Sequence, residues 1–238
     1  MTARPQSPLA KPLILDAVQL DYRDTRGGAS RALDIGALTV APGFSLGVTG
    51  PSGCGKSSLL MVIAGIEPVT SGHVSWGGTD IARLSQSERD RWRRDTVGLV
   101  FQNFHLIPEL SARANVALPL GFGRPVPVDL PGRMQVLFAT LDIDFLDRRA
   151  AGLSRGQQQR LAIARALLFK PALILADEPT ASLDAANAAR VGELLVELAR
   201  KGGATLIVAS HDRALLARLD EVCMLEAGRI VNRGKPAP

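Results

Sequence analysis

Residues 50–57 read Gly50-Pro51-Ser52-Gly53-Cys54-Gly55-Lys56-Ser57, the pattern G-x-x-x-x-G-K-[ST] without a mismatch. Glycines at these spacings let successive backbone N–H groups turn inward onto phosphate oxygens. A helix opening at Ser57 and Ser58 adds the positive end of its dipole. Lys56 puts a point charge against the β- and γ-phosphates of a nucleoside triphosphate, and the Ser57 hydroxyl suits a Mg²⁺ ligand. Cys54 fills a variable position of the loop and reads as a small packing residue.

A second constellation closes the apolar run 172–176, which ends in the adjacent acids Asp177 and Glu178. Neighbouring side chains of a strand face opposite ways, and at its end the chain turns, so the two carboxylates can serve different tasks. Asp177 would hold Mg²⁺, directly or through water. Glu178 would act on the attacking water as general base. His211 ends the run 205–209 and is expected at the γ-phosphate or that water, and Gln102 ends the run 97–101 within reach of Mg²⁺ or water.

These residues need a frame. Four short apolar runs, 44–48, 97–101, 172–176 and 205–209, each end in polar residues, and three lead into helical patterning. That arrangement predicts a parallel sheet with covering helices, and in such sheets ligands bind beyond the carboxyl ends of the strands. Residues 13–48 alternate and break at Arg26-Gly27-Gly28 and Pro42-Gly43, which predicts antiparallel strands. Prolines 108, 119, 125, 127 and 131 punctuate the stretch after Gln102, with helical patterning at 112–118 and 133–141, so a mostly helical lobe of about 103–155 is expected inside the sheet domain. Residues 222–233 read as a hairpin turning at Ala227-Gly228. Residues 1–12 read as a tail with no signal-peptide pattern, and 13–238 as one domain.

Composition narrows the class. Of 238 residues, 46% are hydrophobic and 21% charged, which argues against a disordered chain. Two cysteines give no disulfide framework and no metal set. The longest apolar run, 59–66, falls far short of the ~20 residues that span a bilayer, so any membrane attachment is expected through a partner. The net charge of +5 is compatible with an anionic partner, but the positive residues are scattered and Arg mostly replaces Lys as the solubilising residue. The densest group, Arg89, Arg91, Arg93 and Arg94 around Trp92, reads as a solvated helix face.

Residues 153–160, Leu-Ser-Arg-Gly-Gln-Gln-Gln-Arg, resemble the LSGGQ signature of the ABC ATPase family, followed by the helix typical of that position. Residues 177–184 resemble the Walker B motif running into the D-loop at Asp184. Gln102 is similar to the family's Q-loop residue, His211 to its switch histidine and Tyr22 to the aromatic residue that stacks on adenine. The resemblance spans about 13–234. It implies an α/β fold: a P-loop NTPase (RecA-like) core with a mostly parallel sheet, an N-terminal antiparallel β subdomain and an inserted α-helical subdomain. It also implies ATP with Mg²⁺, a head-to-tail homodimer in which Ser154, Arg155, Gly156 and Gln157 reach the ATP of the opposite subunit, and an integral membrane permease subunit that holds the chain at the cytoplasmic face of the inner membrane. Arg155 departs from the pattern, since Gly is usual there, and its positive side chain could pair with phosphate or crowd the approach. Residues 101–110 and 114–120 resemble the lipoprotein-release and macrolide-export group, in which the segment after the Q-loop, here 104–110, meets the permease. A non-transport ABC ATPase acting on nucleic acid or ribosomes is the alternative, disfavoured by the absence of a second cassette and of a basic tract.

Overall fold

Residues 173–177 and 205–209 are buried at every position, and runs so short without a polar face belong to central strands covered on both sides. In the computed structural model, which describes residues 10–23, 28–123, 126–181 and 183–236, they are the middle of a six-stranded sheet. The strands are β1 (Leu13–Arg23), β2 (Ala29–Val40), β3 (Ser45–Thr49), β4 (Ser71–Trp76), β5 (Thr79–Asp80), β6 (Val97–Val100), β7 (Leu173–Asp177), β8 (Thr205–Ala209), β9 (Glu221–Glu226) and β10 (Arg229–Gly234). The helices are α1 (Lys56–Ile63), α2 (Gln86–Thr96), α3 (Ala112–Ala117), α4 (Leu130–Thr140), α5 (Arg155–Leu167), α6 (Ala185–Gly202) and α7 (Arg213–Leu216).

The large sheet runs β10-β9-β3-β8-β7-β6. Its strands pair in parallel from β9 to β6, and β10 joins antiparallel as the second arm of the expected hairpin, with Ala227 and Gly228 at positive φ in its turn. Side chains alternate across this sheet. Leu173, Leu175, Ile207 and Ala209 face a core shared with α1 and the N-terminal sheet, whereas Ile174, Ala176, Leu206 and Val208 face a core shared with α5 and α6. Helix α6 shows why it seals that second face. Asp184 caps its start, and Val191, Leu195, Val196 and Ala199 recur at helical spacing toward the core. Each Leu or Val so buried contributes about 1.5–3 kcal/mol relative to exposure.

The antiparallel sheet, β2-β1-β4-β5, is larger than the sequence suggested. Residues 45–49 leave it for the parallel sheet, while β4 and β5, which follow α1 in the chain, complete it. Of the turn expected at Arg26-Gly27-Gly28, the first two residues lie outside the described residues, as do residues 1–9 of the expected tail. Pro12 is already tied in, its carbonyl accepting from Gly77 N at 2.9 Å. The stretch expected to form a helical lobe contains α3, α4 and short 3-10 turns at Leu118–Phe122 and Ala150–Gly152, and it ends where α5 begins. The arginines around Trp92 do lie on a helix, α2, but not all are free surface. Arg93 donates to the Ala64 and Gly65 carbonyls at the end of α1, and Trp92 packs on the core. Among the described residues no helix is long and apolar enough to cross a membrane.

Candidate functional site: a phosphate cleft at the carboxyl edge of the sheet

Four strand ends open onto one cleft of about 760 Å³, lined by the loop 50–58, Gln102, Asp177, Glu178 and His211, by Tyr22, Ser30, Arg31 and Ala32 of the antiparallel sheet and by Ala227 and Gly228 of the β9–β10 turn. The loop after β3 supplies most of the wall. Gly50 has φ 146°, and a Cβ there would stand 2.0 Å from the Leu225 carbonyl oxygen, so any other residue would push loop and sheet apart. No side chain caps the start of α1, which leaves its first N–H groups directed at the cleft. The Lys56 ammonium donates to the Gly50 and Pro51 carbonyls at 2.8 and 3.1 Å, bending the side chain across its own loop. Two of its three donors are used there. Cys54 is buried, and its carbonyl accepts from Gly228 N at 3.0 Å, tying the loop to the β9–β10 turn. Ser52 and Gly53 form the exposed crest of the loop. Tyr22 is 43% exposed, with its hydroxyl 3.4 Å from Ser58 Oγ.

The acids take different surroundings, as their adjacency suggested. Asp177 ends β7 and is nearly buried. Burial raises its pKa above the ordinary aspartate value and Glu178 adds to the rise, while a hydrogen bond from Ser57 and the charge of Lys56 oppose it. Its Oδ1 has no hydrogen-bond partner. A buried, unpartnered carboxylate oxygen beside a serine hydroxyl fits a divalent cation. Gln102 lines the same cleft, exposed, one turn beyond β6. Among the described residues no group of three or more His, Cys, Asp or Glu is placed to hold a metal ion, so such a cation would draw its other ligands from Ser57, Gln102 and phosphate oxygens.

Glu178 sits past the strand at φ 44°, a conformation uncommon for glutamate and costing about 1–3 kcal/mol. The surrounding bonds hold it there. Its N–H donates to Ala209 O at 2.8 Å, His211 Nδ1 lies 3.0 Å from its Oε1, and the Ser210 hydroxyl donates to its Oε2 at 3.4 Å. Ser210 Oγ accepts from Asp212 N, and Asp212 in turn accepts from Thr180 Oγ1 and caps α7. This network crosslinks the ends of β7 and β8 and aims His211. Ser210, Thr180 and Asp212 were not singled out from the sequence, although the serine and aspartate flanking His211 at a strand end were the available signal.

Ser154, Arg155, Gly156 and Gln157 do not line this cleft. Ser154 caps α5, accepting from Gln157 N at 3.3 Å, and Gln157 Oε1 accepts from Ser154 N at 3.0 Å. Gly156 faces Asn187, which Asp184 holds by two bonds. Those bonds lower the Asp184 pKa. The Arg155 guanidinium lies over the Phe104 ring, 5.4 Å from the centroid. Phe104 is only 4% exposed, so within 104–110 the exposed residues are His105, Ile107, Pro108 and Glu109. A buried Asn115, with no exposed surface, holds this loop by bonding Ile107 N and O, Leu110 O and Ser111 O.

A sequence profile described as ABC transporter matches residues 33–181. A second, described as AAA domain, putative AbiEii toxin, Type IV TA system, matches the shorter stretch 146–217. The lipoprotein-releasing system ATP-binding protein LolD 1 of Rhodospirillum rubrum is 40% identical over 82% of this chain and 86% of its own length. LolD of Cereibacter sphaeroides is 37% identical over 94% of this chain and all of its own. Among solved structures, the dimeric post-hydrolysis state of the ATP-binding cassette MJ0796 bound to ADP and Pi superposes with a TM-score of 0.86 at 32% identity, covering 95% of this chain and 99% of that one. With the P-loop NTPase fold, the cleft at the carboxyl edge of the sheet and these relatives in agreement, the chain belongs to the ABC transporter family, as one of its ATP-binding members.

Proposed function

We propose that the chain hydrolyses ATP in a head-to-tail pair of copies and uses the cycle of closure and release to drive a separate membrane permease, in a system that releases or exports lipoprotein, lipid or drug. The observation that carries the reading is the cleft itself: uncapped helix amides and Lys56 meet an unpartnered Asp177 oxygen and a Glu178–His211 pair within one pocket.

The residues divide the work. Tyr22 stacks on adenine. Amides of 50–58 and Lys56 hold the phosphates. Ser57, Gln102 and Asp177 would hold Mg²⁺, which neutralises charge on the β- and γ-phosphate oxygens. Glu178 accepts the proton of the attacking water, and His211, donating Nδ1–H to Glu178 Oε1, keeps that carboxylate oriented. Ser154, Arg155, Gly156 and Gln157 close over the ATP of the other copy, with Asp184 beside them. They stand apart from their own cleft, which suits a partner's. ATP then favours the closed pair because it touches both copies, and loss of the γ-phosphate removes contacts made only in that state.

For the permease, a groove of about 690 Å³ lined by Phe101, His105, Leu118, Pro119, Phe122 and Arg94 suits an amphipathic segment better than the 104–110 stretch as a whole. Phe122 is exposed on its rim. Attachment there would keep the chain, whose described residues hold no spanning helix, at the cytoplasmic face of the inner membrane. The name of the LolD relatives supports lipoprotein as the cargo.

The test is purification from detergent-solubilised membranes. Capture of a multi-span membrane protein whose presence raises ATP turnover supports the proposal. Salt-sensitive retention of nucleic acid without such a protein would support the alternative instead.

A further inference from the structure

Seven described non-glycine residues have positive φ, and among them only Phe104 (59°) and His105 (46°) are neighbours. Two consecutive left-handed residues without an Asn or Asp side chain form a turn that the backbone does not choose by itself. It persists only where surrounding bonds over-determine it. Some of those bonds are local: Phe104 N donates to Phe101 O at 3.0 Å, and His105 N to Asn103 O at 2.6 Å. The strongest come from outside. Arg165, in the last turn of α5, donates through Nη2 to Phe104 O at 2.5 Å and through Nη1 to His105 O at 2.6 Å. One planar fork thus spans the carbonyls of both strained residues, which is the geometry a guanidinium provides and an ammonium does not. Arg155, at the other end of α5, covers the Phe104 ring. Gln102, two residues upstream of this turn, lines the nucleotide cleft.

We propose that Arg165 is a positioning residue: its fork on the Phe104 and His105 carbonyls fixes the turn that keeps Gln102 in the nucleotide cleft. Without the fork, Phe104 and His105 relax toward negative φ, and Gln102 leaves the position from which it serves the cation and the attacking water. The amides of 50–58 and Lys56 hold the phosphates independently of this turn, so the loss falls on turnover and on the Mg²⁺ requirement rather than on nucleotide affinity. The inference rests on the hydrolytic reading given above.

A double-mutant cycle on the purified full chain with its membrane partner tests it. Wild type, Arg165→Met, Gln102→Ala and the double variant are compared for kcat, KM for ATP, half-saturating Mg²⁺ and thermal midpoint. Arg165→Met lowers kcat roughly 10- to 100-fold, raises the Mg²⁺ requirement and leaves KM within about threefold. Because the arginine acts through Gln102, adding Arg165→Met to Gln102→Ala costs no more than about a further twofold. Arg165→Lys, which keeps charge without the fork, falls between wild type and Arg165→Met and serves where the Met variant does not fold. Introducing His105→Gly, which is at ease at positive φ, restores part of the lost turnover. Additive losses, KM and kcat moving together, or a normal Arg165→Lys and Arg165→Met would overturn the proposal alone. An inactive wild type would instead sink the hydrolytic reading beneath it.

Discussion

Glu178→Gln separates basicity from structure at the proposed base. Glutamine keeps the side-chain volume, and its carbonyl oxygen still accepts from His211 Nδ1 across the present 3.0 Å. On the other side the Ser210 hydroxyl now stands 3.4 Å from an oxygen of Glu178. It can rotate to accept from the new amide, so the local hydrogen bonds survive at a cost below about 1 kcal/mol. For a chain of this length that moves the thermal midpoint by no more than about 2–4 °C. What disappears is the group that takes the water's proton. A positioned general base contributes about 10²–10⁴-fold, which at 1.36 kcal/mol per decade is about 3–5 kcal/mol of barrier. Single-turnover hydrolysis of radiolabelled ATP by the purified protein and its membrane partner, with ATP affinity measured in parallel, is the assay. The expected result is a rate at least ~10²-fold lower with affinity retained and the closed pair accumulating. A rate within threefold of wild type at unchanged affinity would remove Glu178 as the base. A midpoint falling by far more than a few degrees would assign it a structural role instead.

Asp177 carries a stability cost that has a pH signature. Its folded pKa is raised by burial, so the folded state favours the protonated acid, and stability drops as pH rises through that raised value. Asp177→Asn should therefore stabilise the nucleotide-free protein by about 1 kcal/mol at neutral pH, the gain shrinking as pH falls toward the unfolded aspartate pKa, while Mg²⁺-dependent hydrolysis is lost. Thermal scans across pH 4–8 check the first half, and phosphate release from Mg-ATP checks the second. Arg155→Gly removes a cation over an aromatic ring, costing about 0.5–1 kcal/mol of stability. It also takes a positive charge from the face proposed to meet the opposite ATP, so ATP-dependent pairing should weaken several-fold by analytical ultracentrifugation; identical association constants would make the residue neutral there.

The parts of the site that were legible in the sequence are those carried by local pattern. β7 and β8 are buried at every position, so each reads as an unbroken apolar run, and the first polar residues after the run mark the cleft edge. The loop 50–57 is legible because its glycines and lysine are themselves the residues that line the cleft. β4 was not, because Ser71–Trp76 buries only Val74 and Trp76, and its partner β1 lies before the phosphate loop in the chain. Long-range pairing leaves little trace in so short a segment. The turn at Phe104–His105 was hidden for a different reason: Phe does not signal positive φ and a single His signals it only weakly, and the arginine that holds them is sixty positions away on a helix read only as the one that follows the signature. Asn115 was likewise passed over, although a lone amide amid apolar neighbours is the composition expected of a buried loop clamp.

The central claim is that the 50–58 loop and Lys56 grip a triphosphate. Calorimetric titration of ATP into the purified chain, with and without Mg²⁺, and into Lys56→Ala tests it most directly. Saturable binding of one ATP per chain, with affinity lowered by at least ~100-fold on losing the ammonium, is the predicted result. Equal affinity in the two proteins, or no ATP bound by the wild type, would contradict it.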